Sequence, residues 1–209
     1  VAGLEFALLT PLLLTMFLGT IDLSNALLTA RRLGIAAGSI ATIATTDSAQ
    51  NQALNLLTDV QAWQATTAAF AFFPGWTATT ARNTFAVTVS GVAFTATPST
   101  CTQNCTYTAR IVWSVANDLG TAQLRPCGPV TIVPNTSPTS YATLPVGNVG
   151  PTSLVVADIA YTFQPTFFGF LIGNIPMMKS AYVSPRIKNA TTLTPAGGVG
   201  VNQTCPVSG

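Results

Sequence analysis

The chain has 209 residues, 48% of them hydrophobic and 7% charged, with no histidine and a formal net charge of +2. Soluble domains are about a quarter charged, and this chain has no basic stripe to neutralise phosphates, which argues against a nucleic-acid partner. Abundant Leu, Ile, Val and Phe exclude disorder, and the lack of a second apolar run of about 18 residues excludes a multi-span membrane protein.

The first element reads as a hydrophobic helix. Phe6 to Ile21 carries no charge, with Glu5 before it and Asp22 after it. Weakly polar residues continue the pattern to Ala30, and Arg31-Arg32 close it. At ~1.5 Å per residue, residues 1–30 reach roughly 45 Å, enough to cross a hydrocarbon core. Pro11 removes one helix hydrogen bond and predicts a kink near Ala7–Pro11. A secretory signal starts with methionine and a basic stretch; this chain starts VAGLE, so Val1 reads as a processed amino terminus.

Glu5 has two readings. It is an interfacial acid solvated by headgroups, or it is buried in an assembly and needs a cation, because a buried unpaired carboxylate is strongly unfavourable. The cation nearest in sequence is the α-amino group of Val1, from the same chain or a neighbouring subunit. Such a pair would set the register of packed helices. Asp22 is expected to meet water or the arginines about two to three turns on.

The helix is expected to run over residues 2–46. Gly34 and Gly38 lie four apart among Ala36, Ala37 and Ala41, a spacing that lets another helix approach closely. A break near Thr45–Ser48 divides the chain into an assembly or transmembrane helix, 1–46, and an α+β globular domain, 47–209. Asp47 or Ser48 is placed to cap a second helix over Ala49–Phe72, with Leu54, Leu57, Val60 and Trp63 facing a sheet; Pro74-Gly75 ends it.

The rest has β texture. Phe85, Val87 and Val89 alternate, then Val92 and Phe94 in the opposite phase, which predicts a bulge near Ser90-Gly91. Tyr107, Ala109, Ile111, Trp113 and Val115 alternate strictly, so the two runs form a hairpin across PSTCTQNC. Pro and Gly dominate 125–152, a surface excursion with a short strand at Val130–Val133. Strands at Ser153–Phe163 and Met177–Val183 complete a small antiparallel sheet. The fold class is α+β, a long helix and a second helix packed on that sheet.

Four cysteines suit an exported protein with disulfides. Three connectivities are possible. Cys101–Cys105 with Cys127–Cys205 is favoured, because the hairpin holds the first pair close and the second would tie down a loose C-terminus. A metal site is not expected without histidine or a second close cysteine pair. Nor is catalysis or a cofactor: there is no histidine for a triad, and Glu5, Asp22, Asp47, Asp59, Asp118 and Asp158 show no paired spacing. Gly197-Gly198-Val-Gly200 precedes no helix pattern, so no phosphate loop is expected.

The string GLEFALLTPLLLTMFLGTIDL resembles the TadE-like pseudopilins of tight-adherence pilus systems, within the type IV pilin superfamily. The matching positions are Glu5, Phe6, Ala7, Leu8, Pro11, Leu12–Leu14, Gly19 and Asp22. Residues 154–186, LVVADIAYTFQPTFFGFLIGNIPMMKSAYVSPR, are similar to that family's closing strands and aromatic-proline turn. The resemblance implies cleavage before Val1 by a prepilin peptidase, insertion in the inner membrane with the N-terminus cytoplasmic, and extraction by a pilus assembly platform into a homopolymer at the cell surface. Arg31-Arg32 would then lie outside, against the positive-inside tendency, and the removed leader is expected to hold more positive charge. The alternatives are a minor pseudopilin and a membrane-anchored surface binding protein, with Phe72, Phe73, Trp76 and the 125–152 excursion as its contact surface.

Overall fold

A computed structural model describes residues 2–45, 57–73, 85–117, 123–185, 193–194 and 201–205. Helix α1, Ala2–Thr45, runs unbroken through Pro11. Its first half is apolar in sequence without being one-sided. Its second half turns one stripe inward: Leu33, Ala36, Ala37, Ile40, Ala41 and Ala44 are buried, the three-and-four spacing of a helix face. Four of those six are alanines, so the helix axis lies close on the sheet.

A two-residue strand β1, Leu57–Thr58, leads into helix α2, Asp59–Thr67, and a 3-10 turn over Ala68–Phe72. The second helix therefore starts later than its apolar spacing suggests. The start is set by a capping box: the Gln61 N–H donates to Thr58 Oγ1 at 3.3 Å, and the Thr58 N–H donates to Gln61 Oε1 at 3.0 Å, satisfying two otherwise orphaned donors. Leu57 is in the strand; Ala62, Ala65 and Ala69 are the fully buried apolar positions, and Trp63, half-buried, packs against the same core. Asp47, Ser48 and Leu54 lie outside the described residues.

Strands β2 (Phe85–Thr97) and β3 (Thr106–Ala116) form the hairpin. The excursion contributes β4 (Gly128–Pro129), β5 (Thr131–Val133) and β6 (Thr143–Pro145), the last two pairing in parallel. Then come β7 (Leu154–Phe163), a single turn α3 (Gly169–Ile172), β8 (Ile175–Val183), β9 (Leu193–Thr194) and β10 (Val201–Thr204). The main sheet is antiparallel in the order β10-β3-β2-β7-β8, with β4 also on the outer edge of β3. β9 pairs in parallel with β1.

Both faces of the sheet are covered. On one, α1 and α2 pack on Phe85, Val87, Val89, Trp113, Val115, Val155, Ala157 and Ile159. On the other, Val92, Ala109, Ile111, Leu154 and Val156 pack with Leu144 of the excursion and Cys205. This explains the change of phase in β2. Its residues simply alternate, and the buried set passes from the helix face to the excursion face. The register does shift at Gly91/Val92, but Gly91 pairs with Trp113 and Val92 with Ile111, so the extra residue is Val112 of β3. The bulged Val112 carbonyl accepts the Cys205 N–H at 2.9 Å.

Disulfides join Cys101 to Cys105, Cα–Cα 5.7 Å, and Cys127 to Cys205, Cα–Cα 5.5 Å. The second staples β4 to β10, which lie end to end along one edge of β3. It closes a span of 78 residues, and a loop of that size confers about 4 kcal/mol in the chain-entropy model.

Candidate functional site

The protruding half of α1 is the most unusual surface of the molecule. Leu12, Leu13 and Leu14 are 57%, 61% and 55% exposed. Successive helical residues point ~100° apart, so the helix is bare all round there. Phe6, Leu9, Met16, Phe17, Leu23, Leu27 and Leu28 are also exposed. The polar side chains in this stretch serve the helix itself: Thr10, Thr15 and Thr20 hydroxyls donate to the carbonyls of Phe6, Leu12 and Phe17 at 2.7–2.8 Å. Such back-bonding lets a hydroxyl sit in an apolar medium without an unmet donor. By length and composition, Leu9–Thr45 can cross a membrane.

Asp22 ends the bare half, and it does not look to water or to the arginines. It is 6% exposed. The backbone N–H groups of Thr166, Phe167 and Phe168 donate to its carboxylate at 2.9, 3.0 and 2.9 Å. The acid thus ties the β7–β8 loop to the flank of α1, with the Phe168 ring near Gly19, where an added Cβ would lie 3.8 Å from it. The distance of ~145 residues along the chain hides this contact from any spacing rule. The available signal was QPTFFGF itself, a turn offering three successive backbone donors that lack a strand partner.

Gly34 and Gly38 lie on the outer side of α1, and a Cβ at either would meet nothing within 4 Å. The chain's own packing has no need of glycine there. Leu27, Ala30, Arg31, Gly34, Ile35 and Lys179 line a shallow groove alongside. Pro11 lies within the bare half, where it offers no N–H to the Ala7 carbonyl. Val1 and the side chain of Glu5 lie outside the described residues, so the structure does not place the pairing expected for them.

A second polar centre lies on the far face of the sheet. Arg125 is fully buried and forms a two-pronged pair with Asp158, Nε to Oδ2 at 2.6 Å and Nη2 to Oδ1 at 2.9 Å. Its Nη1 donates to the carbonyls of Tyr141 and Thr143 at 3.3 and 3.0 Å, and its backbone N–H to Ser114 Oγ at 3.1 Å. The Ser180 hydroxyl donates to the same carboxylate, and Ser90 and Ser114 bond each other at 2.8 Å. Burial alone would pull the Arg125 pKa down; the hydrogen bonds and charge of Asp158 outweigh it and hold it above its ordinary value. This centre joins β3, β7, β8 and the excursion through Ser114, Asp158, Ser180, Tyr141 and Thr143. Its effect is to fasten the excursion to the sheet.

The Tyr141 phenol is pushed up to about 12, first by burial and then by the Asp158 charge. A folded-state pKa above the unfolded value near 10 favours the neutral phenol in the fold. The stability it contributes is complete below pH 10 and is lost as pH rises from about 10 to about 12. The urea midpoint should therefore fall across that window, and Tyr141→Phe should shrink the fall while leaving the midpoint at pH 8 nearly unchanged.

Among the described residues, no group of three or more His, Cys, Asp or Glu side chains comes together. Residues 1–41 match the family model described as TadE-like protein. That match covers the bare half of α1 and its continuation to Ala41, and leaves the sheet and the 154–186 segment outside it. No curated protein and no solved structure matches the chain.

Proposed function

We propose that this TadE-like chain is a structural subunit of a Tad pilus-type filament, anchored in the cytoplasmic membrane first and then polymerised with copies of itself through α1. The observation that carries the reading is the bare half of α1: an uncharged helix, apolar all round, standing clear of a folded body, in the segment that is TadE-like. Such a surface fits lipid before assembly and other helices after it. Gly34 and Gly38, with open space at each, fit close approach of a neighbouring α1. A prepilin peptidase acting before Val1 and an assembly platform are the partners this function needs, and the role is structural rather than catalytic.

Apolar contact alone sets no register. A Glu5 carboxylate paired with a neighbour's Val1 ammonium would set one, because a helix displaced by a turn would leave a charge unpaired at about 3–5 kcal/mol. Glu5→Gln is expected to leave expression and membrane insertion intact and to reduce sheared surface filaments strongly; Glu5→Asp, with its shorter reach, should be intermediate. Electron microscopy and peptide mapping of sheared material read the outcome. Normal filament number and length in Glu5→Gln cells would remove the pairing. Wild-type protein held in the membrane, with no filament containing it, would make the chain an anchored surface protein instead.

A further inference from the structure

The loop between β7 and β8, QPTFFGFLIGN over residues 164–174, holds no charged side chain. Phe170, Leu171 and Ile172 are 87%, 72% and 60% exposed, and Phe167 is 40% exposed. Left in water, each such side chain forgoes the gain of burial. Contiguous patches of this kind mark a contact with something apolar.

The position of the loop says what that is. Three N–H bonds to Asp22 hold it beside α1 at the end of the uncharged run. Glu5 and Asp22 bracket about 26 Å of helix at 1.5 Å per residue, close to the hydrocarbon thickness of a bilayer. Leu23, Leu27 and Leu28 stay exposed beyond Asp22, as far as Arg31. The outer hydrocarbon boundary of an inserted α1 therefore falls between Asp22 and Arg31. For any boundary in that interval, the loop's anchor at Asp22, with the Phe168 ring beside Gly19, lies level with it or below it. At that depth a bare carboxylate would be costly, and Asp22 is the one whose oxygens are taken by backbone donors from the loop. The tip of the same loop, Phe170, Leu171 and Ile172, is exposed and apolar, with Gln164, Thr166 and Asn174 exposed nearer its two ends.

We propose that Phe170, Leu171 and Ile172 form a second membrane contact, a wedge that enters the outer leaflet of the bilayer crossed by α1. It rests on the insertion of α1 in the proposed function. One helix alone leaves the body free to tilt; a wedge beside it fixes the depth and lean of the sheet before assembly. Extraction into a filament must then lift the wedge from lipid together with the helix.

The test uses the full chain in vesicles of phosphatidylethanolamine and phosphatidylglycerol, with one nitroxide on an added cysteine. All four native cysteines are disulfide-bonded, so the added thiol labels alone. Leu171→Cys reports the wedge, Leu14→Cys reports α1, and Thr95→Cys, exposed near the opposite end of the sheet, reports water. The expected result is an oxygen-to-nickel-chelate accessibility ratio at 171 about tenfold above that at 95, because a polar chelate is excluded from hydrocarbon, and close to that at 14. A label at 171 that is open to nickel while 14 is not would overturn the wedge and leave the anchored helix standing. Both labels open to nickel would overturn both. Spin–spin broadening at 171 that disappears on dilution with unlabelled chain would assign the patch to a second copy and also overturn the wedge.

Discussion

Arg125→Met is expected to destabilise the fold by about 3–5 kcal/mol, a fall in Tm of about 6–20 °C. Methionine keeps much of the length of the side chain but removes every donor. Asp158 then remains fully buried with only the Ser180 hydroxyl described as a donor to it, and the Tyr141 and Thr143 carbonyls lose their partner. The effect is the cost of leaving a charge alone, not the worth of the pair. A double variant, Arg125→Met with Asp158→Leu, should recover a large part of the loss, since an apolar pair of similar volume often equals a buried ion pair. Thermal unfolding of the single and double variants is the measurement. If the double variant is as unstable as Arg125→Met, the bonds of Arg125 to the excursion, rather than the abandoned carboxylate, carry the loss.

Gly91→Ala should destabilise by about 3 kcal/mol, at the upper end for overpacking of a core. An added Cβ would lie 2.1 Å from Trp113 Nε1 and 2.4 Å from Cε2. Trp113, on β3, is fully buried in the core between the sheet and the helices, so its ring has nowhere to withdraw. The contrast is Gly34→Ala, where the added methyl meets open space. There the fold should gain up to ~1 kcal/mol, since glycine in a helix interior is that much worse than alanine. Urea unfolding of the two variants should shift in opposite directions. A neutral Gly91→Ala would mean that Trp113 does not lie over the glycine.

Local signals carried the elements well. The uncharged run and its small-residue continuation specify α1, and strict alternation from Tyr107 to Val115 specifies β3. Three features depended on information the local pattern lacks. Leu57 extends the apolar spacing of α2 backwards, yet it lies in a strand and the Thr58–Gln61 capping box sets where α2 begins. The phase change between Val89 and Val92 arises because the second half of β2 is buried by an excursion that crosses the other face, and the extra residue of the bulge is Val112 on the partner strand. Arg125 and Asp158 are 33 residues apart and meet only when the sheet forms. An acid in LVVADIAYTF, a strand with no other charge, was the clue that a cation must come from elsewhere. Asp22 was singled out by its position at the end of the run, but its donors lie in a loop brought there by β7.

The Cys127–Cys205 bridge also has a mechanical meaning. Strands β7 and β8, on which α1 rests, lie inside the loop it closes. A pull between α1 and Cys205 passes through the bridge and skips the residues within. At ~3.4 Å per extended residue the bridge withholds roughly 260 Å of slack. A molecule dragged by its helix can yield by peeling that helix from the sheet or by unravelling what precedes Cys127. The strands beneath the helix stay tethered at Cys127 and Cys205 and cannot be paid out as thread.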